Sequence, residues 1–118
     1  MTGKTPLWIM IAGPYTSGGG DAKARAANLA AMNRAAWAVW QRGHVPVIGV
    51  NMALPVIAAA GEAQFAAIMM PLSLALAERC DAVLRIGGPS QGADREVALI
   101  RGKGGRVFRD AAEIPRAS

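Results

Sequence analysis

The 118-residue sequence contains a single cysteine, Cys80, and a single histidine, His44. One cysteine allows no disulfide within these residues, and no metal-ligand spacing accompanies it. Cys80 ends an apolar, helix-like stretch, where a free cysteine is usually a small buried side chain. His44 follows Gly43 in a predicted turn, which argues against a histidine-based zinc site or catalytic triad. We therefore expect neither a metal nor a cofactor.

Acidic and aromatic residues are also scarce. Eight Asp and Glu face 13 Lys and Arg, giving a net charge of +5, and there are only one Tyr and two Phe. Excess positive charge attracts nucleic acids or phosphorylated small molecules. The basic residues are scattered, however, and few aromatic rings are available for base stacking. This pattern argues against nucleic-acid binding.

The apolar run near the start of the sequence, at 7–12, ends at Gly13-Pro14. It is too short for the hydrophobic segment of a signal peptide or for a membrane span. We expect a cytoplasmic protein that does not enter the membrane. Apolar residues make up 53% of the chain, which suggests a homo-oligomer, a dimer or larger. The alternative is that alanine, a strong helix former, simply fills helices.

Strand-like and helix-like segments alternate along the chain, which predicts a parallel α/β domain. Residues 1–118 read as one domain with a core at about 7–115. We expect a Rossmann-like or flavodoxin-like three-layer sandwich with a mostly parallel sheet of four to five strands. Pro46 argues for an edge strand, while Pro55 and Pro71 predict helix breaks. The predicted strands are 7–12, 45–50, 82–86 and 106–109, and the predicted helices are 22–42, 62–70, 72–79 and 93–101.

The stretch 81–96 combines a buried strand, a glycine-rich turn and a helix start. The turn carries Ser90 and Gly92, and the first turns of the helix carry Asp94 and Glu96. Open α/β sheets bind ligands at the carboxyl ends of their strands, where a helix start offers free N–H groups. Ordinary helix capping explains the same residues, and the pattern alone slightly favours that reading.

The loop at 13–20 after the first strand is rich in glycine and hydroxyl groups. It begins Gly13-Pro14-Tyr15 and offers backbone donors that could wrap a phosphate or a sugar. It lacks the Lys-Ser/Thr ending of a P-loop and the spacing of a dinucleotide fingerprint. A long mobile turn is the alternative.

Three short motifs resemble those of the nucleoside 2-deoxyribosyltransferase-like superfamily, in the same order. They are Ile11-Ala-Gly-Pro-Tyr15, Cys80-Asp-Ala-Val and Ser90-Gln-Gly-Ala-Asp-Arg-Glu96. The superfamily includes transferases that exchange nucleobases on deoxyribose and hydrolases that cleave deoxynucleoside 5′-monophosphates. The resemblance covers roughly residues 7–115 and is strongest to a small branch of the superfamily.

The resemblance implies a role for each motif. Glu96 matches the carboxylate that attacks the anomeric carbon of deoxyribose, forming a covalent intermediate as in a retaining glycosidase. Ser90 and Gly92 match the positions that hold a 5′-phosphate. Gly13, Pro14 and Tyr15 fall near the sugar or base.

The sequence also departs from the family pattern. Ser73 stands where active members have an Asp that orients the sugar and protonates the leaving base, and a hydroxyl is a poor general acid. Asp94 or Glu62 could replace the Asp that is missing at position 73. Asp94 is also a candidate substrate-binding residue. Asp81 resembles a structural residue at the strand start and is also kept as a candidate.

Three functions follow as hypotheses. The first is cleavage or transfer at the N-glycosidic bond of deoxynucleosides or their 5′-monophosphates, with Glu96 as nucleophile. The second, motivated by Ser73, is a nucleotide-binding module without catalysis. The third is a structural or oligomeric interaction domain. Burial of Glu96 beside an apolar wall would raise its pKa.

Overall fold

The structure is a computed structural model that describes residues 5–16 and 21–117. Within them, four strands alternate with four α-helices and two short 3-10 helices. The strands are β1 (Trp8–Ala12), β2 (Val45–Val47), β3 (Ala82–Arg85) and β4 (Arg106–Phe108). The α-helices are α1 (Ala22–Gln41), α2 (Gly49–Ala60), α3 (Phe65–Ala77) and α4 (Gln91–Gly102). Short 3-10 helices occupy Glu62–Gln64 and Ala111–Glu113.

The strands form one sheet in the order β2-β1-β3-β4, and every pairing is parallel. This confirms the predicted α/β class, with four strands. β1 lies inside the sheet, and β2 forms an edge where Ile9 pairs with Pro46. Proline is tolerated there because an edge strand leaves some of its N–H groups unpaired.

Side chains alternate between the two faces of the sheet and produce a three-layer core. Ile9 and Ile11 of β1 pack on one face with Met32 and Val39 of α1. Met10 and Ala12 face the other way, toward α3 and α4. Burial on both faces explains why β1 reads as a continuous apolar run.

Both ends of α1 follow from local chemistry. Asp21 is the N-cap, and its carboxylate accepts a 2.6 Å hydrogen bond from the Ala24 amide, as aspartate at this position commonly does. Gly43, with φ of +88°, lets the chain leave the helix in a conformation that other residues rarely adopt. Trp40 follows Leu29, Met32, Ala36 and Val39 at helical spacing, which predicts that it is buried. It is instead 58% exposed, so that prediction is wrong.

The two predicted proline breaks are also wrong. Pro55 lies inside α2 and Pro71 inside α3. Each is exposed on the solvent side of its helix, where water can bind the carbonyl that the proline leaves unpaired. Packing of α2 against α3 through Ala53, Ile57 and Met69 then holds both helices together.

The second strand is shorter than predicted, because α2 begins two residues after Val47. Gly49, the first residue of α2, is buried against α3. A Cβ built on Gly49 would lie 2.7 Å from the Cβ of Ser73, closer than real side chains come. Glycine at this position therefore allows α2 and α3 to approach closely beside the end of β2.

Several large apolar side chains of α1, α2 and the start of β1 are 45–61% exposed. They are Trp8, Trp37, Trp40, Met52 and Val56. Such exposure is compatible with the predicted homo-oligomer, which stays a prediction. In the described part of the chain, no helix combines the length and hydropathy that crossing a bilayer requires.

Candidate active site

A cleft of about 570 Å³ opens between the end of β1, the helices α2 and α3, and the start of α4. Parallel sheets bind ligands in this region, beyond the carboxyl ends of their strands. The cleft is lined by Gly13, Tyr15, Thr16, Val50, Phe65, Ala66, Met69, Met70, Ser73, Ser90, Gln91, Gly92, Ala93, Arg95 and Glu96. The structure thus brings most of the predicted site residues together.

Glu96 is the buried carboxylate of the cleft. It lies on the inner face of α4, beside Val97 and one turn from Ala93 and Ile100, all of which pack toward the sheet. Only 8% of Glu96 is exposed. No described residue donates a hydrogen bond to its carboxylate within residues 5–16 and 21–117. No fully buried side-chain oxygen of the described residues lacks a partner, so the carboxylate oxygens of this largely buried side chain reach the space of the cleft. A carboxylate that is mostly buried and opens only to a cleft marks a candidate reactive group.

The environment of Glu96 raises its pKa from 4.5 to about 7. The main cause is burial, which disfavours the charged form, and the nearby positive charge of Arg85 opposes it. Glu96 is therefore divided between its neutral and ionised forms at neutral pH. A group in that range can act either as an acid or as a nucleophile.

Ser90 and Gly92 lie at the start of α4, on one wall of the cleft. Ser90 is the N-cap, and its hydroxyl accepts a 3.1 Å hydrogen bond from the Ala93 amide. The hydroxyl proton stays free to donate. The amides of Gln91 and Gly92 precede the first complete helical turn and have no partner within the helix. This end of α4 can therefore donate several hydrogen bonds to an anion.

Gly92 also determines how closely α4 approaches α3. A Cβ on Gly92 would lie 3.0 Å from the Met70 sulfur, so a larger residue would push Met70 aside. The thioether of Met70 thus forms an apolar floor next to the N–H groups of α4. A polar wall and an apolar floor meet at the mouth of the cleft.

The loop after β1 contributes Gly13 and Tyr15 to the opposite wall. The loop is fixed to α1, because the Asn28 side chain donates a 2.9 Å hydrogen bond to the Tyr15 carbonyl. Pro14 does not line the cleft. Its ring packs on the next turn, where a Cβ on Gly87 would lie 2.7 Å from Pro14 Cδ. Residues 17–20, which the sequence also suggested for ligand binding, lie outside the described residues.

Ser73 lines the cleft from α3 and is 2% exposed. Its side chain packs against Gly49 of α2. In the part of the chain that the structure describes, its hydroxyl has no hydrogen-bond partner. No fully buried side-chain oxygen of the described residues lacks a partner, so the Ser73 hydroxyl reaches the cleft and is available to a ligand there.

Besides Pro14, two more of the predicted substrate-binding residues lie outside the cleft. The Asp81 carboxylate accepts a 2.8 Å hydrogen bond from the Trp8 amide, at the amino ends of β1 and β3. That is the end of the sheet opposite the cleft, so its position fits a structural role. Asp94 is on the outer side of α4 and pairs with Arg85 at 3.2 Å. It sits two residues before Glu96, and residues two apart on a helix point in different directions.

Some lining residues were not predicted as site residues. The apolar stretch that holds Phe65, Met69 and Met70 predicts core or subunit-interface residues, and Met69 is buried core that also reaches the cleft. Arg95 and Gln91 also line the cleft, and neither was predicted as a site residue. Helical spacing could have found Arg95, because it lies one turn after Gly92 and next to Glu96.

The ionisable side chains that line the cleft are Tyr15, Arg95 and Glu96. Glu96 is thus the only carboxylate among the lining residues, and Glu62 is exposed outside the lining. His44 is buried elsewhere, where Nδ1 accepts from the Leu7 amide and Nε2 lies 2.6 Å from the Pro115 carbonyl. The described residues contain no group of three or more His, Cys, Asp or Glu placed to hold a metal ion.

Comparison with known proteins adds no assignment. No model of a known protein family matches the chain, and no curated protein matches it significantly.

Proposed function

We propose that the protein cleaves or transfers the N-glycosidic bond of deoxynucleosides or deoxynucleoside 5′-monophosphates. The observation that carries the proposal is Glu96, a largely buried side chain whose carboxylate accepts no hydrogen bond from the described residues and opens to a cleft of a size suited to small ligands. The motif resemblance described above assigns the same residue as nucleophile. The two arguments are independent, because burial and hydrogen bonding do not depend on the resemblance.

The reaction proceeds in two steps. The ionised Glu96 carboxylate attacks the anomeric carbon, while the bond from that carbon to the base nitrogen breaks and the base leaves with the electron pair. The base then gains a proton. In the second step, water or a second base attacks the same carbon and releases Glu96, so the configuration is retained overall.

The walls of the cleft suit the parts of a nucleotide. The start of α4, with the Ser90 hydroxyl and the amides of Gln91 and Gly92, supplies donors for a phosphate. Phe65 and Met70 supply apolar contact for a base, and the Tyr15 ring can stack on it. The Ser73 hydroxyl is free to bond a sugar oxygen. Arg95 adds a positive charge at the wall of the cleft.

Protonation of the leaving base requires a proton donor in addition to Glu96. Retaining glycosidases use a second carboxyl group as the acid, and none is among the lining residues of this cleft. The Tyr15 hydroxyl or solvent must supply the proton. This observation favours a second candidate function, a nucleotide-binding module that does not cleave its ligand.

A chromatographic assay for free base distinguishes these functions. The purified protein is incubated with each deoxynucleoside and its 5′-monophosphate, with and without a second base as acceptor. Free base indicates hydrolysis, and a new nucleoside indicates transfer. The key variant is Glu96→Gln, which retains shape and removes the nucleophile. The matched control is Glu78→Gln, which removes a carboxylate from the exposed end of α3.

We expect Glu96→Gln to abolish base release and to retain ligand binding measured by calorimetry, while Glu78→Gln behaves as the parent protein. Full turnover by Glu96→Gln would rule out the covalent mechanism. Saturable binding without any product would establish the binding-module function. Absence of both binding and product would favour a structural or oligomeric interaction domain.

A further inference from the structure

A second cleft lies on the other side of the turn between β3 and α4. Its volume is also about 570 Å³, and it opens beyond the carboxyl ends of β3 and β4. It is lined by Arg85, Ile86, Gly87, Gly88, Pro89, Asp94 and Arg109. None of these residues lines the first cleft, so the two spaces are separate.

Arg85 is the central residue of this second cleft. It is the last residue of β3 and is only 8% exposed. Its guanidinium donates to the carbonyls of Ile86 and Gly88 and to the Asp94 carboxylate. A buried guanidinium needs such partners, and these three bonds use three of its five N–H groups. Two N–H groups stay available.

The charge of Arg85 is only partly balanced. Its one ionic contact joins Nε to a single oxygen of Asp94 at 3.2 Å, and the Asp94 side chain is 69% exposed. A bidentate pair would bind more strongly. Solvent weakens a pair that is exposed on one side, so the positive charge of Arg85 persists at the wall of the cleft.

Arg109 adds a second positive charge to the same wall. Leu84 of β3 pairs with Phe108 of β4. The residue that follows Leu84 is Arg85, and the residue that follows Phe108 is Arg109. The two arginines therefore lie side by side at the ends of adjacent strands. Their positive charges repel each other when no anion lies between them. The Arg109 guanidinium forms no ion pair with any described residue of 5–16 and 21–117.

We propose that the second cleft is a binding site for the phosphate group of a small phosphorylated molecule, held between Arg85 and Arg109. The lining of this cleft has two guanidinium groups and one carboxylate, Asp94, and Glu96, which Arg85 also influences, lines the first cleft instead. The lining is therefore positive, and guanidinium groups match phosphate geometry. Gly87, with φ of +77°, and Gly88 form the rim of this cleft. They carry no side chain that would keep a ligand from the turn. The site does not depend on the function proposed for the first cleft.

Nuclear magnetic resonance tests the proposal without any catalytic readout. Amide spectra of the full chain are recorded during titration with inorganic phosphate, and again with ribose 5-phosphate, at an ionic strength held constant with chloride. Constant ionic strength is needed because salt screens exposed charges. The amides of Gly87 and Gly88 report on the second cleft, and the amide of Gly92 reports on the first.

The test variant is Arg109→Ala, which removes an exposed side chain and should fold normally. The matched control is Arg101→Ala, which removes the same charge from the exposed end of α4, outside both clefts. We expect phosphate to shift Gly87 and Gly88 saturably. Loss of charge-assisted bonds should weaken this binding by about tenfold in Arg109→Ala and leave it unchanged in Arg101→Ala.

Three results would overturn the proposal. One is the absence of saturable shifts at Gly87 and Gly88. Another is a response confined to Gly92, which would place phosphate in the first cleft alone. The third is equal weakening by both arginine variants, which would indicate a general charge effect. A stronger response to ribose 5-phosphate than to phosphate would show that the site holds more than the phosphate group, whereas an equal response would limit recognition to that group.

Discussion

Replacing Glu96 with glutamine should stabilise the protein at alkaline pH and leave its stability almost unchanged at acid pH. Folding raises the pKa of Glu96 from 4.5 to about 7. Below pH 4.5 the carboxyl is neutral in both the folded and unfolded states, so it contributes no pH-dependent term. Between pH 4.5 and 7 the folded state binds the extra proton, and the free energy of unfolding falls as pH rises.

The magnitude follows from the two pKa values. At about 1.4 kcal/mol for each pH unit that separates them, ionisation of Glu96 costs the folded protein up to about 3 kcal/mol above pH 7. Glutamine has a similar shape and never ionises, so Glu96→Gln avoids this cost. We expect the variant to be more stable than the parent by about 1–3 kcal/mol at pH 8.5.

Urea unfolding followed by circular dichroism at pH 4 and pH 8.5 measures the effect. Glu78→Gln is the control, since it makes the same change from carboxylate to amide at an exposed position. If the stability difference between Glu96→Gln and the parent is the same at both pH values, Glu96 does not carry a raised pKa. The reasoning from its burial would then be refuted.

Three further predictions test other parts of the structure. If ionised Glu96 is the nucleophile, the rate of base release should rise with pH through about 7 and then level off; a rate that falls above pH 7 in a steady-state pH profile would assign Glu96 as an acid instead. Gly49→Ala should destabilise the protein by about 1–3 kcal/mol, because the new Cβ would collide with Ser73, and unchanged thermal unfolding would contradict the close approach of α2 and α3. Cys80 is fully buried and its pKa is raised to about 11, mainly by burial. At pH 8 a thiol-specific reagent should therefore label it at least about a hundredfold more slowly in the folded protein than in urea, and rapid labelling of the folded protein would contradict its burial.

The order of elements and the place of the sheet could be predicted because local sequence determines them. The apolar run of β1 indicated burial on both faces, and Pro46 indicated the edge. The helix breaks predicted at Pro55 and Pro71 were wrong, although a proline inside a helix does destabilise that helix locally. The contacts between α2 and α3 that outweigh this cost come from residues distant in sequence.

The site was predictable where ligand-facing groups follow a strand directly. A seven-residue stretch of one strand-turn-helix unit contains Ser90, Gly92 and Glu96, and the structure places all three in one cleft. Asp94 faces away from the cleft because it lies two residues before Glu96 on α4. Its pairing with Arg85 was not predicted. The second wall, with Phe65 and Met70, comes from α3, and the packing of one element on another is not encoded in spacing along the chain.

The most direct test of the central claim is to trap the sugar on Glu96. The protein is incubated with a deoxynucleoside 5′-monophosphate, quenched in acid and digested, and its peptides are analysed by mass spectrometry. We predict that the peptide containing Glu96 gains the mass of a deoxyribosyl phosphate, and that Glu96→Gln shows no adduct and releases no base. Release of base by the parent with an adduct on another residue, or by Glu96→Gln at the parent rate, would contradict the assignment of Glu96 as nucleophile.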